Sequence, residues 1–175
     1  MPFTPFHFGF AIFLWSILFF LDPVALLIGC VIIDLEPIAY ILFGVGRLHG
    51  IMHSLLGVFV FLIPTSLLSW GTYKILKLER YIKTYNPLIS LFSSFIALLS
   101  HIFFDAIIYS EIMFFYPFSK KTGMLFGLWS SQTDYLILTI MFFVGGVLLI
   151  LRFLYKKSKG NQSNESKMRE KHIKK

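Results

Sequence analysis

Residues 88–108 read LISLFSSFIALLSHIFFDAII, an apolar run with one histidine and one aspartate near its end. A helix of about 20 apolar residues crosses the ~30 Å hydrocarbon core of a bilayer, so this run predicts a membrane-spanning helix. His101 and Asp105 are four residues apart, and they therefore lie on one face with Cβ atoms about 5–6 Å apart. A carboxylate inside a bilayer costs roughly 2.5–3.5 kcal/mol, so the pair indicates a functional site.

The composition of the whole chain is that of an integral membrane protein. Its 175 residues are 57% hydrophobic and 14% charged, whereas soluble domains are about 45–50% apolar and about 25% charged. The net charge of +7 comes from basic residues in loop 74–87 and in the C-terminal tail, an arrangement typical of a cytoplasmic membrane face. We predict an all-α helical bundle in the plasma or inner membrane, with lipids and not nucleic acid as its partners.

The apolar segments predict about five spans, at residues 8–21, 24–43, 49–73, 88–108 and 135–155. The second of them should be broken, because Pro37 cannot continue a helix and disfavours helical geometry in the residue before it. Residues 1–157 form the predicted membrane domain. Residues 158–175 are lysine-rich and poor in hydrophobic side chains, so we predict a disordered basic tail.

Loop 74–87 and this tail set the predicted topology. Basic residues next to membrane spans stay in the cytoplasm, so with five spans the C-terminus is predicted to be cytoplasmic and the N-terminus outside. The connector 109–134 contains six Phe, Tyr and Trp side chains in its middle, which favour the membrane interface.

The intramembrane polar groups then fall at one level, in the outer half of the bilayer. They are His7, Asp34, Glu36, His49, His53, His101 and Asp105. Imidazole and carboxylate are ligands for zinc, manganese or iron, and a cation offsets the cost of burying them. One such histidine alone would indicate a hydrogen-bonded core residue, but the set predicts a site for one or two divalent metal ions, with zinc preferred.

Asp34 and Glu36 need separate roles, since residues two apart on a helix point in nearly opposite directions. We predict Asp34 as a ligand. Glu36 is the predicted catalytic residue, as a general base or proton carrier. The alternative roles for Glu36 are a bridging ligand, a partner that orients a histidine, and a carboxylate that merely reaches the interface.

Five short motifs in a set order carry a resemblance to a known family. They are Thr4-Pro5-Phe6-His7, Asp34-Leu35-Glu36, the stretch from Gly50 to Leu55, the stretch from Ser100 to Asp105, and Pro117. Together they resemble the membrane-bound metal-dependent hydrolases, also described as LexA-binding, inner-membrane-associated hydrolases. The chain departs from that family at Ile33, Glu36 and Leu48, where proline, aspartate and histidine are common. The resemblance therefore covers His53, while the prediction of His49 as a ligand depends on its four-residue spacing from His53.

A more distant similarity is to zinc phospholipase C and the P1-type nucleases. It implies a first zinc on Asp34, His53, His101 and Asp105, and a second on His7 and the shared Asp105. It also implies a phosphoester substrate, and the interfacial connector would admit an amphipathic or phosphorylated molecule.

Three functions remain open from the sequence. The first is a metal-dependent hydrolase. The second is a divalent metal-ion transporter, disfavoured because the polar groups share one depth. The third is a non-catalytic membrane scaffold with a structural metal closed by four protein ligands.

Overall fold

The computed structural model describes residues 6–173 except 45, 81, 83 and 84, with side chains as far as residue 159. All regular elements in these residues are helical, which confirms the all-α fold. The helices are α1 (His7–Ile17), α2 (Pro23–Gly29), α3 (Leu35–Phe43), α4 (Leu55–Leu76), α5 (Pro87–Ile108) and α6 (Ser131–Ile173).

In the part of the chain that the structure describes, four helical segments are long and apolar enough to cross a membrane: Pro23–Phe43, Leu55–Leu76, Pro87–Ile108 and Ser131–Lys159. The fifth predicted span corresponds to α1, which has 11 residues and is therefore about 16 Å long, roughly half of a bilayer core. The bundle thus combines four long apolar segments with one short helix.

The predicted break in the second span is present, but it lies before Pro37. Helix α2 ends at Gly29, a 3₁₀ turn occupies Ile32–Asp34, and α3 starts at Leu35. Pro37 is then in the first turn of α3, where a missing backbone donor costs nothing because that donor has no partner within the helix.

The turn between α1 and α2 is anchored inside the bundle by Asp22. Its Oδ1 accepts hydrogen bonds from the backbone N–H of Val24 and Ala25, which caps α2. Its Oδ2 accepts from Ser69 Oγ of α4 at 2.6 Å, and its backbone N–H donates to Ser93 Oγ of α5 at 2.9 Å. The short helix α1 is therefore held between the long helices by polar contacts at its turn.

Helices α1 and α6 pack side by side through glycines. A Cβ on Gly9 would collide with the backbone carbonyl of Leu138, and one on Gly145 would lie 2.7 Å from the backbone of Phe13. Because residue numbers rise together along both helices, α1 and α6 run in the same direction.

Helix α4 begins and α5 ends at one end of the bundle, where the Leu55 N–H donates to the Phe114 carbonyl. Helix α6 starts at this end and runs away from it, alongside α1. Loop 77–86 and the C-terminal end of α6 therefore share the opposite end, although the assignment of that end to the cytoplasm stays a prediction.

Reporter fusions test the topology. We expect a cytoplasmic reporter to be active both in loop 77–86 and at the C-terminus, because both segments are basic and lie at the same end. Activity of a periplasmic reporter at the two positions would reverse the orientation, and opposite sides for the two positions would contradict the helix directions.

The structure describes the backbone of the C-terminal tail as far as residue 173. Helix α6 continues through residues 158–173 as far as Ile173. Lysine, glutamate, glutamine and methionine favour helix even where a segment is too polar to pack against a core. The division of the chain at residue 157 stays a prediction.

Candidate metal centre

Four of the predicted ligands come together at one end of the bundle. Asp34, His53, His101 and Asp105 each present one ligand atom, and these atoms all lie within 4.8 Å of one another. Asp34 comes from the 3₁₀ turn, His53 from the connector before α4, and the other two from α5. All four residues are buried, so the group is shielded from solvent.

The distances within this group fit a tetrahedral ion. His101 Nε2 is 3.4 Å from both Asp34 Oδ1 and Asp105 Oδ2, and His53 Nε2 is 3.8 and 3.6 Å from the same two atoms. Ligand atoms about 2.0–2.1 Å from a tetrahedral zinc ion are about 3.3 Å apart. Neither Nε2 atom has a hydrogen-bond partner among the described residues, as expected of nitrogens directed at a cation.

The other ring nitrogen of each histidine is held by an acceptor. His101 Nδ1 is 2.8 Å from the Cys30 carbonyl oxygen, and His53 Nδ1 is 2.8 Å from Glu36 Oε2. A carbonyl only accepts, so His101 Nδ1 carries a proton, and Nε2 is the atom that would bind a cation. Such partners fix the tautomer and the orientation of metal-binding imidazoles.

The break between α2 and α3 supplies one of these acceptors. In a continuous helix the Asp34 N–H would bond to the Cys30 carbonyl, but here it bonds to Val31 O. The Cys30 carbonyl is thus available to His101, and Asp34 is turned towards the site. The sequence contains no signal for this backbone acceptor.

Glu36 lies behind His53 and is held by the connector. Its Oε2 accepts from the Gly50 N–H at 3.0 Å, and its Oε1 accepts from the Met52 N–H at 3.2 Å. A Cβ on Gly50 would meet the Glu36 carboxylate, which explains the glycine. Among the roles considered from the sequence, this geometry favours the orientation of His53.

His7 lies beside the group. Its Nε2 is 3.3 Å from Asp105 Oδ1, whereas Asp105 Oδ2 faces His53 and His101. The ring of His7 stacks on that of His101, with the ring centroids 4.2 Å apart. Its two ring nitrogens have no hydrogen-bond partner among the described residues. Thr4 and Pro5, which begin the first motif, lie outside the described residues.

His49 is placed differently from the sequence prediction. The segment 49–54 is not helical, so the four-residue spacing does not put His49 and His53 on one helix face. His49 Nδ1 is 2.9 Å from Glu111 Oε1, its ring stacks on Tyr109 at 4.0 Å, and it lies outside the four-residue group. Its role as a ligand stays a prediction.

The pKa values of this outer pair follow from burial and from the hydrogen bond. Burial lowers the pKa of His49, against the raising effect of Glu111. Burial alone would raise the pKa of Glu111, but the hydrogen bond with His49, a backbone hydrogen bond and nearby charges together outweigh burial and lower that pKa. At neutral pH the pair is therefore a neutral imidazole and a carboxylate.

Gly57 joins the start of α4 to the His53 connector. A Cβ at Gly57 would collide with the backbone of Met52, whereas one at Gly71 of the same helix meets no atom within 4 Å. We expect Gly57→Ala to destabilise the fold by about 1–3 kcal/mol, as overpacking does, and to lower metal affinity by moving His53. Gly71→Ala should be neutral or stabilise by about 0.5–1 kcal/mol.

Thermal unfolding and metal content of the two purified variants check this prediction. Equal stability of the two variants, with full metal content in both, would show that the contact between Gly57 and Met52 does not position His53.

A family model described as YdjM inner membrane protein matches residues 16–162. The match includes the four-residue group, Glu36 and His49, while His7 lies before it. No curated protein and no solved structure gave a significant match. Together with the long apolar helices, the match supports a multi-pass inner-membrane protein, and the resemblance to hydrolases stays a prediction.

Proposed function

The chain belongs to the YdjM inner membrane protein family, and we propose that it is a membrane-bound, metal-dependent hydrolase. The observation that carries this proposal is that His7, both of whose ring nitrogens lack a hydrogen-bond partner among the described residues, faces the second oxygen of Asp105 beside the buried set of four ligand atoms, an addition that a closed structural site does not need. Unpaired buried nitrogens are costly unless a ligand is present, so the donor set fits a divalent cation, with zinc preferred.

A divalent cation held there supplies Lewis acidity towards water and towards a carbonyl or phosphoryl oxygen. The protein supplies the positions of the ligands. The Cys30 carbonyl fixes the ring of His101, and Glu36 fixes the ring of His53 while the Gly50 and Met52 N–H groups hold Glu36. This network keeps both Nε2 lone pairs directed at the same point.

Asp105 connects His7 to the rest of the site. One of its oxygens faces His53 and His101 and the other faces His7. In the proposed mechanism His7 either contributes to a second metal position or exchanges a proton with a group bound at Asp105. The other predicted roles of Glu36, general base and bridging ligand, are less compatible with its three hydrogen bonds.

The connector between α5 and α6 supports an amphipathic substrate. It exposes apolar side chains next to two lysines, namely Phe118, Met124, Phe126 and Leu128 beside Lys120 and Lys121. Apolar and basic side chains together suit the interface and a lipid-like molecule with a phosphoester. The connector also contributes Glu111, which contacts His49 at the outer edge of the site.

A panel of phosphoester and ester-containing lipids tests the proposal on metal-loaded protein in detergent. We expect one substrate class to be hydrolysed, and we expect the rate to disappear in His101→Ala. A metal-loaded protein that hydrolyses none of the panel and moves labelled metal across vesicles would be a transporter. A metal-loaded protein that neither hydrolyses a substrate nor transports metal would support the third function, a membrane scaffold with a structural metal.

Glu36→Gln tests the positioning of His53. The amide has one acceptor oxygen in place of two, so it cannot accept all three hydrogen bonds, and we expect metal affinity to fall by about 10–100-fold. Glu111→Gln is the comparison variant, because that carboxylate holds the Nδ1 of His49, which lies outside the four-residue group; an equal fall in affinity there would place His49 among the ligands. Metal titration of both purified variants measures the difference. Unchanged affinity in Glu36→Gln would exclude the positioning role.

A further inference from the structure

A groove of about 810 Å³ lies at the end of the bundle opposite the metal centre. Phe19, Leu148 and Tyr155 form its apolar wall, and Arg152, Lys156 and Lys159 line it with positive charge. It lies between the end of α1 and the part of α6 that continues beyond α1. Because α1 has only 11 residues and its chain turns back at Asp22, no other part of α1 covers this stretch of α6.

The positively charged side chains of Arg152, Lys156 and Lys159 all line this groove. Residues 152, 156 and 159 follow the spacing of neighbours on one helix face, and no acidic residue among those whose side chains the structure describes lines the groove. Among the described side chains, Lys74 is the one lysine or arginine that forms an ion pair with a carboxylate, and Lys74 does not line the groove. Within residues 6–159, therefore, no carboxylate neutralises the positive charge of the groove.

Arg152 is held at the wall of the groove. Its guanidinium carbon lies 2.7 Å from the centroid of the Phe19 ring. Cations are attracted to the face of an aromatic ring, and arginine is the more common partner. The guanidinium is thus held beside the apolar wall of the groove.

The depth of Arg152 agrees with a position among lipid headgroups. It follows Asp134 by eighteen residues on α6, which corresponds to about 27 Å along the helix. Asp134 accepts a hydrogen bond from the indole of Trp129, a residue type favoured at the interface. With a hydrocarbon core of ~30 Å, Arg152 lies near the opposite boundary.

We propose that this groove binds one anionic phospholipid. The headgroup phosphate lies between Arg152, Lys156 and Lys159, and an acyl chain runs along Phe19 and Leu148. An apolar wall with a cationic rim at the membrane boundary matches both parts of such a molecule. The site is independent of the metal centre and of the proposed hydrolase function.

Native mass spectrometry of the full-length protein in detergent tests the site. Phosphatidylglycerol and phosphatidylcholine are offered at equal mole fractions, and we expect about tenfold preferred retention of phosphatidylglycerol, since several cations act on one anion. The preference should disappear in Arg152→Gln/Lys156→Gln/Lys159→Gln. It should persist in Lys77→Gln/Arg80→Gln, in which exposed charges of loop 77–86 at the same end of the bundle are removed instead.

Metal content and helical circular dichroism verify that each variant is folded. If the triple variant does not fold, Lys156→Gln/Lys159→Gln changes exposed side chains and should still reduce the preference. A folded variant that keeps the full preference, or a wild-type protein without one, would overturn the proposal. Inorganic phosphate that raises the Tm as much as phosphatidylglycerol does would identify a free-anion site instead.

Discussion

Replacing Asp105 by asparagine is expected to abolish tight metal binding. Its carboxylate faces His101 and His53 with one oxygen and His7 with the other, and it is 2% exposed. Asparagine preserves the shape but removes the negative charge that a divalent ion needs. We expect the affinity to fall by more than the roughly 10–100-fold typical of a residue that only orients a ligand.

Metal analysis and titration of the detergent-purified protein measure this effect. Asp22→Asn is the matched control: Asp22 is also buried, but it caps α2 away from the metal centre, and asparagine caps helices about as well as aspartate. Full metal content in a folded Asp105→Asn protein would remove Asp105 from the metal centre and with it the shared position for a second ion.

The sequence predicted those parts of the site that depend on local geometry. His101 and Asp105 are four residues apart on a continuous helix, and in the structure the Nε2 of the one is 3.4 Å from an oxygen of the other. The break of the second span also follows from local chain properties. It lies a few residues before Pro37 because a proline is tolerated in the first turn of a new helix.

The same spacing rule failed where the chain is not helical. The hydrophobic pattern predicts the start of the third span at His49, but α4 starts at Leu55. His49 consequently contacts Tyr109 and Glu111, which are about sixty residues away in the chain. Where a helix begins is the least certain feature of a hydrophobic pattern, and here it changes which partner a histidine meets.

Contacts between distant elements could not be predicted from one sequence. The Cys30 carbonyl is a backbone group that any residue type would offer, so its bond to His101 leaves no trace in the residue pattern. Asp22 resembled an ordinary residue before a proline, yet it joins α2, α4 and α5. The need for Gly9 likewise arises from α6, more than a hundred residues away.

Removal of the metal is expected to destabilise the whole bundle. The 3₁₀ turn, the connector before α4 and helix α5 each contribute residues to the four-residue group, so an ion bound there would link three segments that are distant in the chain. A ligand that binds only the folded state at 100 to 1,000 times its Kd adds roughly 2.7–4.1 kcal/mol to the free energy of unfolding. A chelator should remove that amount.

Thermal unfolding in detergent, before and after chelation and after re-addition of zinc, manganese or iron, measures the contribution. We expect a lower Tm without metal and recovery with the ion that fits the site, because the Nε2 atoms of His53 and His101 again lack a partner once the ion is removed. Asp105→Asn should not respond to the chelator, since it has no tightly bound ion to lose. A wild-type protein that loses its metal and keeps its Tm would show that the ion does not link the three segments, and the centre would then stabilise the bundle through its protein contacts alone.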